Sequence, residues 1–171
     1  GGNPVETWKY CEENFSKGVK IRPQFPGRPT GMLFSLESTV HPFIAHPSYA
    51  EIADKTLDEK VTTMKDESFK QKMLSEEPAV DKNHMIYTLM MSFDKQFPMN
   101  EIPDYEPSYE ASIAGIAEES NKSVMEVMYE ELLKNEGKTF VWAPFSPYPD
   151  HNLDTYKMMM EFESSVAGLS D

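Results

Sequence analysis

The 171-residue chain is long enough for one ordinary domain with a real core and too short for a complete catalytic barrel of roughly 250 residues. Acidic residues outnumber basic ones 29 to 16, for a formal net charge of −13, which argues against a nucleic-acid backbone or an anionic membrane surface as partner. The one cysteine, Cys11, allows no internal disulfide and no thiolate zinc site of its own, which fits a reducing compartment, with the cytoplasm as the expectation. No apolar run approaches the ~20 residues that span a bilayer. The start at Gly1-Gly2-Asn3, with neither Met nor a signal-peptide pattern, reads as a cut or a tag scar, so a soluble fragment is expected.

Asn3 and Pro4 suit a helix N-terminus, and Val5, Trp8, Cys11 and Phe15 recur at helical spacing until Gly18 closes the helix. Val19-Lys20-Ile21-Arg22-Pro23-Gln24-Phe25 then alternates apolar and polar residues, which predicts a strand limited by Pro23. A helix feeding directly into a strand is half of an alternating α/β unit.

Between Pro26 and Pro107 no strand pattern stands out, and compact helices fit better. Thr56 with Glu59 forms a capping box ahead of Leu57, Val61 and Met64, and Asp66 caps a second helix through Phe69, Met73 and Leu74. Residues 76–107, with Pro78, Pro98, Pro103 and Pro107, read as an extended connection. Two more helices follow, over residues 109–119 and 123–134, the second opened by a capping box of Ser123 and Glu126.

Thr139-Phe140-Val141-Trp142-Ala143 is short, apolar and β-prone. A polar loop leads to a helix over about residues 152–162, capped by Asp150 or Asn152. Residues 164–171 read as a buried strand whose last residue, Asp171, is acidic, and the C-terminal ends of such strands are where α/β barrels place catalytic groups.

Several side-chain groupings carry chemistry. His41 and His46, in His41-Pro42-Phe43-Ile44-Ala45-His46-Pro47, could ligate a metal or line a substrate site, but they lack the tight spacing of strong metal motifs. Packing within a proline-rich loop, with the rings bonded to backbone, is the simpler account. Arg22 and Arg28 lie on and just beyond the first strand, where a guanidinium can hold a substrate carboxylate in a bidentate fork or pair with a surface acid. Asp150-His151-Asn152-Leu153-Asp154 lacks the alternating acids and central glycine of a calcium loop. The twelve methionines suit either a peptide-binding groove or core filling, and the helical register of Met125, Met128 and Met160 favours the core. No phosphate-binding glycine loop, Gly-x-Ser-x-Gly elbow or paired-cysteine motif occurs.

Taken as strings, Gly18-Val19-Lys20-Ile21-Arg22-Pro23-Gln24-Phe25-Pro26-Gly27-Arg28-Pro29 and Leu36-Glu37-Ser38-Thr39-Val40-His41-Pro42-Phe43 resemble a stretch of the amidohydrolases known as N-acyl-D-amino-acid deacylases, or D-aminoacylases. His46-Pro47-Ser48-Tyr49, Pro103-Asp104-Tyr105-Glu106-Pro107, Asp150-His151-Asn152-Leu153-Asp154 and Gly168-Leu169-Ser170-Asp171 continue the likeness in order over essentially the whole chain. The resemblance implies an α/β fold in which this chain is a partial (β/α) TIM-barrel segment. Residues 1–27 would hold a helix and the penultimate barrel strand, residues 28–137 a mainly helical insertion or lid, and residues 138–171 an extra strand, the last barrel helix and the final strand.

The same resemblance implies a zinc-dependent parent that hydrolyses the amide of an N-acyl-D-amino acid or a related small amide. Asp171 matches the family's final-strand aspartate, implied to touch the metal and to act as general base. Arg22, Arg28 and His41, by their own positions and chemistry, are the candidate substrate-binding residues. The family's remaining metal-binding histidines would lie outside this chain, so the fragment alone is expected to be inactive and to bind zinc weakly or not at all. The alternative is a non-catalytic, acidic, Met-rich helical binding or lid module.

Overall fold

A computed structural model describes residues 4–146, 148 and 150–168, excepting the side chains of residues 4, 145 and 146. The fold is mixed α/β with helix predominating, and the described strands form two small sheets and no barrel. The chain divides into two compact units, Gly1–Gly31 with Pro144–Asp171, and Met32–Ala143.

In the first unit, α1 (Pro4–Ser16) ends as its sequence predicts. Gly18 takes the left-handed conformation at φ +85, and its N–H donates to the Phe15 carbonyl at 2.9 Å. The strand expected over residues 19–25 is reduced to β1 (Gln24–Phe25). Ile21 N–H turns back to the Val19 carbonyl at 2.8 Å, and Pro23 has no N–H to offer a ladder. After α8 (Asp154–Glu161) the chain enters β5 (Val166–Ala167), which pairs with β1 in parallel, Gln24 opposite Val166 and Phe25 opposite Ala167.

The penultimate and final strands of a barrel would lie side by side in parallel, and these two segments do pair in parallel, over two residues each. The expected burial of the second is absent: Val166 and Ala167 are exposed, because a two-stranded sheet has nothing covering its outer edges. Leu169, Ser170 and Asp171 lie outside the described residues. Phe25, Tyr156 and Met159 form a small core with Trp8, Leu153 and Met158 against it. Trp8 Nε1 donates to Ser165 Oγ at 2.8 Å, and Ser164 Oγ donates to Glu12 at 2.8 Å, which ties α1 to the approach of β5. Neither Asp150 nor Asn152 occupies the N-cap of α8. That position is Leu153, and Asn152 Oδ1 instead accepts from Asp154 N–H at 3.0 Å.

The second unit is built on helices whose ends are written in the sequence. Thr56 and Glu59 form the complete capping box of α3 (Leu57–Met64), and Asp66 caps α4 (Glu67–Ser75) by accepting from Phe69 N–H at 2.9 Å. Ser112 caps α6 (Ile113–Ser120). Ser123 caps α7 (Val124–Gly137), but the expected reciprocal bond from Glu126 is replaced by an ion pair with Lys70 at 3.0 Å. Regular helix in α7 stops at Leu133, since Lys134 is extended and Asn135 and Glu136 are left-handed. Gly137 follows at φ +75, where a Cβ would stand 2.7 Å from Val61 Cγ2.

Further elements depart from the expectation. Residues 76–107 contain α5 (Met85–Met90) and β3 (Phe97–Pro98) rather than a plain extended connection, and β2 (Thr30–Phe34) precedes a short helix α2 (Pro47–Ala50). The strand expected over residues 139–143 is β4 (Val141–Ser146), the centre of a sheet of order β2-β4-β3, with Phe97 opposite Trp142 in antiparallel register.

The core of this unit gathers Phe34, Leu36, Phe43, Tyr49, Ile52, Met64, Met73, Met128, Tyr129 and Leu132. Met128 is core filler as expected and Met125 packs partly buried against the core, Met64 and Met73 are buried too, and Met160, also expected in a core, is 60% exposed. Tyr129 Oη donates to the Met64 carbonyl at 2.8 Å, locking α7 to α3. Among the described residues, no helix is long and apolar enough to cross a membrane.

Candidate functional site

Asp171, the expected catalytic and metal-binding carboxylate, lies outside the described residues. Arg22 and Arg28 belong to the first unit and His41 to the second. Arg22 and Arg28 are exposed on either side of β1, and the Arg22 guanidinium stands 5.5 Å from the centroid of the Phe15 ring. That cation–π contact holds the charged head over α1.

His41 is enclosed. Its side chain has no solvent exposure, and His46, five positions on, is 2% exposed. The segment between them runs through tight turns, with Ile44 N–H donating to the His41 carbonyl at 3.0 Å and His46 N–H to the Phe43 carbonyl at 2.9 Å. His41 Nδ1 accepts from Phe43 N–H at 3.3 Å, so the neutral ring carries its proton on Nε2. The His41 ring thus bonds backbone, but by accepting an N–H rather than by donating to a carbonyl. His41 Nε2 and His46 Nδ1 are buried without a hydrogen-bond partner.

Three groups that sequence reasoning missed complete this cluster. The Tyr49 ring meets His41 edge-on, with centroids 4.5 Å apart, and its hydroxyl donates to the Leu36 carbonyl at 3.2 Å. Lys60 Nζ donates to the same carbonyl at 3.3 Å and stands 5.7 Å from the Tyr49 centroid. Glu76, at the C-terminal end of α4, accepts from Ser48 N–H at 2.9 Å and from the Ser48 hydroxyl, anchoring the start of α2.

Burial, the Lys60 ammonium and His46 together push the His41 imidazole down to about 3. Burial also lowers His46, against the opposing pull of Glu76, the Phe43 carbonyl and Glu77. Burial raises the Tyr49 phenol to about 12. For Glu76, burial works upward, but the two Ser48 donors, Lys72 and His46 outweigh it and hold the carboxyl below its usual range. The cluster is therefore neutral at its centre and closed to water, an arrangement suited to holding a loop in a core rather than to proton transfer at neutral pH.

A separate open cleft of about 320 Å³ in the second unit is lined by Val40, Ile44, Val80, Ile86 and Met90, together with Asp81 and His84. Its apolar walls suit a small apolar group.

Among the described residues, no group of three His, Cys, Asp or Glu side chains is placed to hold a metal ion, so they do not by themselves fit the zinc that the family resemblance implies. Zinc titrated calorimetrically into the isolated chain should show no stoichiometric site of submicromolar affinity. Blocking the buried Cys11 thiol should leave that result unchanged. A tight stoichiometric site within these residues would overturn the assignment of the missing ligands to sequence outside the chain. Comparison with family models, characterised proteins and solved structures finds no match to this chain.

Proposed function

We propose that this chain is a segment of a metal-dependent amidohydrolase of the N-acyl-D-amino-acid deacylase type, acting in the cytoplasm on small N-acylated amino acids or related amides. The observation that carries the proposal is the repeated order of helix then strand in the first unit. α1 precedes β1, α8 precedes β5, the two helices pack on each other, and the two strands run parallel. Parallel strands need a crossover connection, and parallel sheets normally have both faces covered. A parallel pair of two residues each, with Val166 39% exposed, fits strands that belong to a larger parallel sheet.

On this reading the chain's contribution to chemistry is the Asp171 carboxylate at the end of the second strand. It takes a proton from the attacking water as the water oxygen bonds to the amide carbon, then delivers it to the nitrogen as the C–N bond breaks. Arg22 and Arg28 hold the substrate carboxylate. His41, enclosed in the second unit, supports the loop that carries it. The described residues make no zinc site of their own.

Substituting Asp171→Asn in the intact enzyme keeps the shape and removes the base. Turnover should fall about a hundredfold or more, with circular dichroism unchanged and metal content measured on the same sample. Turnover near that of the unmodified enzyme would remove the central assignment.

A second reading, an acidic, Met-rich binding or lid module without catalysis, is favoured by the apolar cleft and by Met85, which is 81% exposed on α5. The coding sequence on either side of the chain separates the two. A His-x-His strand before it and a Gly-Gly-x-His turn after it support the hydrolase, and their absence supports the module.

A further inference from the structure

Residues 35–50 follow β2 in the second unit with little regular structure. They are held by turn hydrogen bonds and by α2, a helix of four residues. Yet this segment supplies Leu36, Phe43 and Tyr49, all fully buried or within 1% of it, to the core. Its attachment therefore depends on side-chain packing rather than on a backbone ladder, and two of the packed side chains are imidazoles.

We propose that His41 and His46 make residues 35–50 an acid-operated latch, closed while both rings are neutral and released from the core of the second unit when they are protonated. The chemistry of the rings supports this. His41 Nδ1 accepts the Phe43 N–H, so a proton added there sets donor against donor and abolishes that bond. His41 Nε2 and His46 Nδ1 have no partner, so the charged rings would carry N–H groups that the closed core leaves unsatisfied.

The surroundings give the new charge little relief at His41. The groups facing it are the Lys60 ammonium from α3, the Tyr49 ring from α2, and His46. Glu76 and Glu77, at and beyond the end of α4, face His46 and moderate its burial without cancelling it. The sign follows from linkage. An imidazole depressed in the folded state protonates preferentially when the segment is open, so stability is complete above pH ~6.5 and falls as pH drops toward the folded value of about 3. Carboxylates held below their usual range, Glu59, Asp66, Glu76, Glu77 and Glu130, lose their contribution only at lower pH, which leaves pH 7 to 5 as the histidine window.

Each unit contains one tryptophan, Trp8 in the first and Trp142 on β4 in the second. The experiment uses the full chain as Trp142→Phe and Trp8→Phe variants, with urea unfolding followed by fluorescence at pH 7 and pH 5. The opening constant reported by Trp142 should rise about twenty-five-fold for His41 alone, and further with His46, while that reported by Trp8 changes less than threefold. His41→Gln, which cannot titrate, should remove most of the rise. Proton NMR of the unmodified chain gives an independent check, because the His41 ring should keep its neutral shifts down to pH 5 in the folded state. A His41 ring that titrates near pH 6.5 in the folded chain, or equal pH dependence at the two tryptophans, would overturn the proposal.

Discussion

Gly115→Ala should cost about 3 kcal/mol or more and lower the melting temperature by about 10 °C, measured by thermal denaturation in circular dichroism. Gly115 lies in the first turn of α6, where Ser112 Oγ accepts its N–H at 3.0 Å. A Cβ there would stand 2.5 Å from the Tyr109 carbonyl oxygen, 2.6 Å from Glu110 Cα and 2.8 Å from the Glu110 carbonyl oxygen. All three are backbone atoms of the 3-10 turn Tyr109–Ala111, so no side-chain rotation relieves the clash. The turn must move away, and the Ser112 cap, worth about 1 kcal/mol, moves with it. Gly27→Ala is the control. Nothing lies within 4 Å of its added methyl, and removing a flexible glycine from the unfolded chain should leave stability equal or slightly higher. A melting temperature for Gly115→Ala within a degree or two of the unmodified chain would refute the close approach.

The features legible in the sequence are those that a few neighbouring residues decide. Thr56 with Glu59, Asp66 and Ser123 open helices because a side-chain oxygen three residues back meets a free backbone N–H, and that geometry needs no tertiary partner. Gly18 ends α1 for an equally local reason. What escaped was decided at a distance. Thr30–Phe34 and Phe97–Pro98 are strands because β4 lies between them, and nothing in Thr30-Gly31-Met32-Leu33-Phe34 alternates clearly enough to announce it. Glu126 was expected to close a capping box, and Lys70, fifty-six positions earlier, draws its carboxylate away. The same division applies to the candidate site. His41 and His46 stand out in the sequence by type and by their prolines, but Lys60 and Glu76 reach them only through the packing of α3 and α4, and no spacing rule links them. Asp171, Arg22 and Arg28 stand out only through family resemblance and strand position. The parallel register of β1 and β5 is the one part of that reasoning to which the described residues speak directly.

Phe43→Ala should destabilise the second unit by about 3 to 5 kcal/mol, lowering the urea midpoint without changing the slope. Phe43 lies between His41 and His46, directly after Pro42, and is fully buried. Its ring centroid is 5.3 Å from that of His46 and 5.4 Å from that of Tyr129, the latter pair meeting edge to face at 85°. Truncation removes both contacts and leaves a cavity against α7, whose position is fixed by the bond from Tyr129 to the Met64 carbonyl. Phe43→Leu keeps most of the volume and should cost less than half as much. The two variants also test how His46 is shielded. With the ring gone, water reaches the imidazole and its charged form is less penalised, so the pH 7 to 5 loss of stability should shrink in Phe43→Ala relative to Phe43→Leu. A cost below 1 kcal/mol for the alanine variant would mean that this ring does not fill the core, and the enclosure of His46 would fall with it.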